Sequence, residues 1–449
     1  MDQIEAQIAR IKAKLPVARA ADAARKVFGA SSHGYQLRSP VAEAALRQME
    51  DSYGIRLPEA YRRFMREVGD GGAGPSYGIY QLGHGLNELV SDPQRYLRQP
   101  CRLRPDLTPA QWEELTSAIE EDEDMADEAF EQAMGELYAG LLPLGDQGCA
   151  NYQALVLNGP FAGRVVNLSA ERYLPCFAYE ATFLDWYERW LEEVAAGDLT
   201  QGGASWFGYK RGGPEAALLH LFQTTPEASV RAECVVGLLA KKQVSPPVLQ
   251  ALAAYPPADD ARLRLLLVQL LLRFDYALGR ARLLVLVPDN LLGVLQSVFW
   301  YAKSHCADWF PVIAANLDRI QDAKTLDFAT YVLKETGTDY GPLLLPFAAR
   351  PDHRQRLTAL YALGQLPNKA DYLATFVAGL HDTEPRVVHT ALQAVADLPA
   401  PQLRPHYQAV ATRFAAVDEA HIMVNLGHAL KTQGISLERL MRRDYGGNG

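Results

Sequence analysis

Three stretches in the back half of the chain repeat one pattern at a spacing that a stacked helical array satisfies. "EASVRAECVVGLLA" (227–240), "DHRQRLTALYALGQL" (352–366) and "EPRVVHTALQAVADL" (384–398) each set a polar lead before small and aliphatic residues at helical spacing, and the last two lie 32 residues apart. In helical sequence, a period of roughly 30 to 45 residues means helix pairs that bury their apolar faces only against their neighbours. "ADDARLRLLLVQLLLRF" and "TLDFATYVLKETG" fit the same array as further helices. Pro226, Pro256, Pro351, Pro367, Pro385 and Pro399 mostly punctuate these periodic stretches.

The front half reads differently. "LTQGGASWFGYKRGGPEAA" (199–217) concentrates glycine between the two patterns and places a junction near residue 210, giving an α+β domain over 1–205 and an all-helical repeat domain over 212–445. "SPVAEAALRQMEDSYG" suits a helix capped by Ser39 with Pro40 in first position. Two β-rich runs, Tyr152–Leu157 and Gly163–Leu168, flank the turn signal Asn158-Gly159-Pro160. A last helix, "TFLDWYERWLEEVAAG", gathers Phe183, Trp186, Tyr187, Trp190 and Leu191 on one face.

"GDGGAGP" (69–75) contains the glycine pattern of a phosphate-binding loop, which needs a strand before it and a helix after it. Here the order is reversed. "LPEAYRRFMREVG" carries Tyr61, Phe64, Met65 and Val68 at i, i+3, i+4 and i+7, so a helix precedes the glycines, with Pro58 suited to its first turn. Gly69 is then expected to end that helix with φ > 0, and Pro75 to block its resumption.

With 49% hydrophobic and 22% charged residues over 449 positions, the composition is that of a globular protein of two or more folded units. The N-terminus lacks the apolar core of a secretory signal, and the longest apolar stretch is broken by Arg273, Asp275, Arg280 and Arg282, so a cytoplasmic protein without membrane spans is expected. Cys101, Cys149, Cys176, Cys234 and Cys306 are odd in number and form no C-x-x-C pair, as reduced thiols would be. Residues 1–210 hold 31 acidic against 20 basic side chains and residues 211–449 hold 22 against 24; the acidic front half argues against nucleic acid as direct partner and for a basic protein.

Chemistry-bearing residues are sparse. Asp146 in "GDQGCAN" reads as a turn aspartate rather than a metal ligand. Cys149 and His84 would form a nucleophile–base pair only if the fold joined them. His421 with His428, and His381 with His389, share helix faces approximately without a third ligand. No catalytic, cofactor or metal residues are therefore expected. The acid-rich stretch between Gln111 and Gly140 has no base, and its Glu120, Glu121, Asp122, Glu123, Asp124, Asp127 and Glu128 suit either a solvated face or a patch that meets a basic partner. Tyr77 and Tyr80, in "PSYGIY", suit half-buried supports or interface anchors.

Taken in order, "GIRLPEAYRRFMREVGDGGAGPSYGIYQL", "LLPLGDQGCANYQALVLNGPFAGRVVNLS" and "FLDWYERWL" resemble the SUKH superfamily, the fungal cell-wall-assembly-regulator-like domains, over roughly residues 30–198. The remainder resembles HEAT-like repeats. The SUKH resemblance implies a mostly antiparallel sheet with flanking helices and no catalytic residues, so that Leu57, Pro58, Gly69, Gly72, Gly145, Gly148, Asn158, Gly163 and Asp185 would make the fold. It also implies an immunity protein that binds and neutralises a cognate secreted toxin in bacterial competition. The alternative is a non-enzymatic scaffold or adaptor that binds a resident cellular protein.

Overall fold

The computed structural model describes residues 3–120, 125–200, 207–256, 259–398, 401–415 and 419–441. They fall into two compact units, 1–270 and 271–449.

In the first unit, helices α1 (Gln3–Ala21), α2 (Glu43–Tyr53), α3 (Glu59–Glu67), α4 (Pro109–Glu120) and α5 (Asp127–Leu137) precede strands β1 (Leu141–Gly148), β2 (Asn151–Val156), β3 (Val165–Ser169) and β4 (Cys176–Phe177), and α6 (Phe183–Ala196) follows. The four strands pair antiparallel in sequence order, with Leu142 opposite Leu155 and Ala154 opposite Val166. Side chains alternate between two cores. Leu142, Leu144, Leu155 and Val165 join Phe64, Phe183, Trp186, Tyr187 and Trp190, while Leu141, Ala154, Val156, Val166 and Leu168 join Trp112, Tyr96 and Leu137. With both faces covered, the strands read as apolar runs instead of alternating ones.

β1, "LLPLGDQG", has no β-branched or aromatic residue and carries Pro143, Gly145 and Gly148, so it lacks the composition that marks β2 and β3 in the sequence. A second departure concerns α2, which starts at Glu43 behind Ala42; Ser39 and Pro40 stay outside it because the Val41 N–H donates to the Met65 carbonyl at 2.8 Å. The first unit continues through α7 (Glu215–Thr224), α8 (Ala228–Leu239) and α9 (Pro246–Ala253). Arg189 of α6 donates to the Lys210 carbonyl at 2.8 Å, and the Lys242 N–H donates to Asp198 at 2.8 Å.

Helix α10 (Ala261–Phe274) crosses the division, and the second unit continues with α11 (Tyr276–Leu286), α12 (Leu291–Tyr301), α13 (Ala323–Lys334), α14 (Gly341–Ala348), α15 (His353–Gly364), α16 (Leu373–Leu380), α17 (Pro385–Val395), α18 (Arg404–Phe414) and α19 (Ala420–Thr432). Helices α12, α13, α15, α17 and α19 pack in succession into one layer, starting at intervals of 30 to 35 residues. Helices α14, α16 and α18 form the other layer, so the expected α+β fold followed by stacked helix pairs is what the chain adopts. Among the described residues no helix is long and apolar enough to cross a membrane.

Candidate functional site

The glycine segment turns the chain against itself. Helix α3 buries Tyr61, Phe64 and Met65 and ends at Val68, whose N–H donates to the Phe64 carbonyl at 2.8 Å. Gly69 lies outside the left-handed region; a Cβ there would crowd Arg38 O at 2.8 Å, so closeness and not a positive φ selects glycine. The left-handed residues of the loop are Gly71 (φ 72°), Gly72 (φ 101°), Ser76 (φ 53°) and Gly78 (φ 103°). Gly72 exchanges backbone hydrogen bonds with Ile79, both at 2.8 Å, and a Cβ on it would lie 2.3 Å from the Gln36 carbonyl oxygen. Tyr77 and Tyr80 then donate their N–H groups to the carbonyls of Asp146 (3.4 Å) and Leu144 (2.7 Å), closing the free edge of β1.

This loop walls a cleft of about 370 Å³ with Gln36, Arg38, Tyr77, Tyr80, His33 and His84. Tyr77 is 44% exposed and packs on Phe28, ring centroids 5.4 Å apart. Tyr80 is half-buried: its hydroxyl donates to Glu88 at 3.0 Å and its ring meets His84 edge-on at 4.9 Å. Burial and the Glu88 contact push the Tyr80 pKa up, and burial raises that of Glu88. His33 accepts the Tyr35 N–H on Nδ1 at 3.0 Å, and burial pushes its pKa down to about 4, keeping it neutral. The cleft offers donors, acceptors and two aromatic rims, a composition suited to recognition.

Asp146 does turn work, accepting the Gly148 N–H at 2.6 Å. Cys149 is exposed in the β1–β2 turn, and no hydrogen bond joins it to His84 among the described residues. Asn158 clamps the chain before α4, accepting from Cys101 N–H and donating to the Gln99 carbonyl, both at 2.8 Å. The histidines pair across helices and not along them: His381 meets His406 with ring nitrogens 2.8 Å apart, and His389 faces His421 edge-on at 5.1 Å. Among the described residues no three His, Cys, Asp or Glu side chains gather as a metal site would need.

The described part of the acid-rich stretch forms α4 and α5, packed against the second face of the sheet and held by Trp112, whose indole N–H donates to the Arg172 carbonyl at 2.7 Å. Glu113, Glu114, Asp127, Glu128 and Glu131 are exposed and form no ion pair among the described residues. Glu121, Asp122, Glu123 and Asp124 lie outside the described residues; Glu120 is the last residue of α4. Sequence reasoning missed His33, Arg38 and Gln36, whose join to the glycine loop is a long-range contact without a local signal.

Residues 40–189, from just before α2 into α6, match the model of the SMI1/KNR4 family (SUKH-1). No curated protein and no solved structure matches the chain. The SUKH-1 segment thus contains the cleft loop, the acidic helices α4 and α5 and the whole sheet. It omits α1, which is nonetheless bolted to α6: Gln7 donates to Asp185 (2.8 Å) and Glu188 (3.1 Å), and Arg10 and Lys14 pair with Glu188 at 2.8 and 2.6 Å.

Proposed function

We propose that this protein is a cytoplasmic immunity protein that binds a basic secreted toxin and neutralises it without chemistry of its own. The observation that carries this reading is the α4–α5 pair, where exposed carboxylates stand without described cationic partners on a SUKH-1 segment. An unneutralised anionic patch accelerates encounter with a cationic partner and costs the free protein self-repulsion, so it is poorly explained by stability. Tyr77, exposed at the cleft rim, supplies an aromatic anchor of the kind that holds a complex once formed. The stacked pairs, read as HEAT-like, support the second reading, an adaptor for a resident protein.

The test is co-expression with a secreted toxin from a neighbouring reading frame, followed by binding kinetics of the purified pair at low and physiological salt. The reading expects growth to be rescued and the association rate to fall with salt, because screening over about 8–10 Å weakens steering. Replacing Glu113, Glu114, Asp127 and Glu128 by Ser should slow association about tenfold and change dissociation less. Toxicity unrelieved by this chain, or association indifferent to both salt and the Ser variant, defeats the reading.

A further inference from the structure

The second unit carries an aromatic run with no role in its core. Trp300 on α12, Tyr331 on α13 and Tyr361 on α15 are 56%, 41% and 51% exposed. Phe328 and Phe299 join the first two: ring centroids lie 5.3 Å apart for Trp300–Phe328, 5.4 Å for Phe328–Tyr331 and 5.4 Å for Tyr331–Phe299. The Lys334 ammonium sits 4.5 Å from the Tyr361 ring centroid and carries the run onto α15. Single exposed aromatics are ordinary, but a connected set crossing three consecutive helices of one layer marks an interaction face.

A row of cations borders it. The second residue of α13, α15 and α17 is Lys324, Arg354 and Arg386 in turn, and all three are exposed. Lys324 precedes Phe328 and Tyr331 by four and seven residues, and Arg354 precedes Tyr361 by seven, so cation and ring share a helix face. A cation in the first turn opposes the helix dipole, so helix stability does not ask for these residues. No described carboxylate forms an ion pair with them. The neighbouring acids are otherwise engaged: Asp322 caps the Thr325 N–H at 2.9 Å, Asp352 the Arg354 N–H at 3.0 Å, Asp327 accepts the Thr358 hydroxyl at 2.7 Å and Glu335 pairs with Lys303 at 2.9 Å. Glu384, before Arg386, is half-buried.

We propose that this face binds an extended acidic segment of a partner protein, with carboxylates on the Lys324–Arg354–Arg386 row and apolar or aromatic side chains on the Trp300–Tyr331–Tyr361 run. Four neighbouring helices spaced about 8–10 Å apart span roughly 24–30 Å, which an extended chain crosses in about seven to nine residues. The inference stands apart from toxin binding, since it concerns the other unit and a partner of opposite charge.

The test is an array of peptides of about that length, graded from acidic to basic at constant aromatic content and probed with the full chain, with oligo-dT as a polyanion that is not protein. Retention should rise toward the acidic peptides and weaken with salt. The combined Lys324→Glu, Arg354→Glu, Arg386→Glu variant should reverse the charge preference. Trp300→Ala with Tyr361→Ala should lower retention about tenfold without altering the charge order, as loss of aromatic anchors does. Circular dichroism melts matching the wild type establish that both variants fold. Retention indifferent to charge, retention unchanged in both variants, or oligo-dT binding more tightly than any peptide overturns the proposal, the last by making the face a nucleic-acid surface.

Discussion

The first unit is closed by contacts between residues far apart in sequence, the second by contacts one repeat away. The Tyr187 hydroxyl donates to the Ala73 carbonyl across 114 positions and Gln7 reaches Glu188 across 181. In the second unit Gln355 reaches Gln321 across 34 positions, Tyr372 reaches Asp339 across 33, Thr358 reaches Asp327 across 31, and Arg356 grips Asp382 across 26. A fold of the first kind depends on a few tight crossings. One of the second kind spreads its stability over many similar neighbours.

The sharpest way to break this contrast is at Gly72, where three backbone segments meet. Gly72→Val places a branched side chain at φ 101° and into the Gln36 carbonyl, so it should cost several kcal/mol, enough to unfold the SUKH-1 segment. Hydrogen exchange should show β1 to β3 losing protection while α13 to α17 keep theirs. Retained protection in the strands would mean that the crossing is not essential.

Glu188 is the next largest. Its side chain is 10% exposed beside Arg10 and Lys14. Burial works against its charge, yet hydrogen bonds from those cations bring its pKa down to about 2. Glu188→Ala takes from Arg10 its described partner and from Lys14 and Gln7 one acceptor of two, leaving them Glu192 and Asp185, and should cost about 2–4 kcal/mol by denaturant melts. The matching test in the second unit is Arg356→Ala, which removes a fork onto Asp382 at 2.7 and 2.8 Å and should cost less, roughly 1–3 kcal/mol, because neighbouring repeats retain their own joins. Equal costs would erase the distinction.

Acid should expose the same difference more gently. An unfolded histidine takes up its proton near pH 6.5, whereas folded His33 resists until about 4; protonation therefore favours the unfolded chain, and the first unit should weaken as pH falls through that window. Glu188 adds a second loss between 4.5 and about 2, where its carboxylate is finally protonated. A melting temperature of the first unit flat from pH 7 to 4 would contradict the burial of His33; His33→Phe should flatten it.

These energetics explain what the sequence announces. The periodic helices α8, α10, α13, α15 and α17 are legible because a local stripe decides each of them, and so is α6 with its aromatic face. Within the site, Tyr77 at the rim and the acidic helices are visible as residue types, but the cleft is not, since His33, Gln36 and Arg38 reach it through a crossing that the close approaches at Gly69 and Gly72 permit. The mistaken φ at Gly69 has the same origin: a local rule for helix ends assigned to one glycine what the tertiary crossing asks of Gly71 and Gly72.

The smallest effect tests the rule from the other side. Gly427 lies inside α19, exposed, with no atom within 4 Å of where a Cβ would stand. Nothing there requires glycine, whose unfolded-state freedom only burdens the helix. Gly427→Ala should therefore stabilise the second unit by about 0.5–1 kcal/mol, read as a small rise in its denaturant midpoint with unchanged slope. The same glycine-to-larger change thus carries opposite signs in the two units, ruinous where chain segments cross and mildly helpful where a local helix decides. A loss of stability in Gly427→Ala would show that α19 too rests on a close approach, and that the second unit is less local than its period suggests.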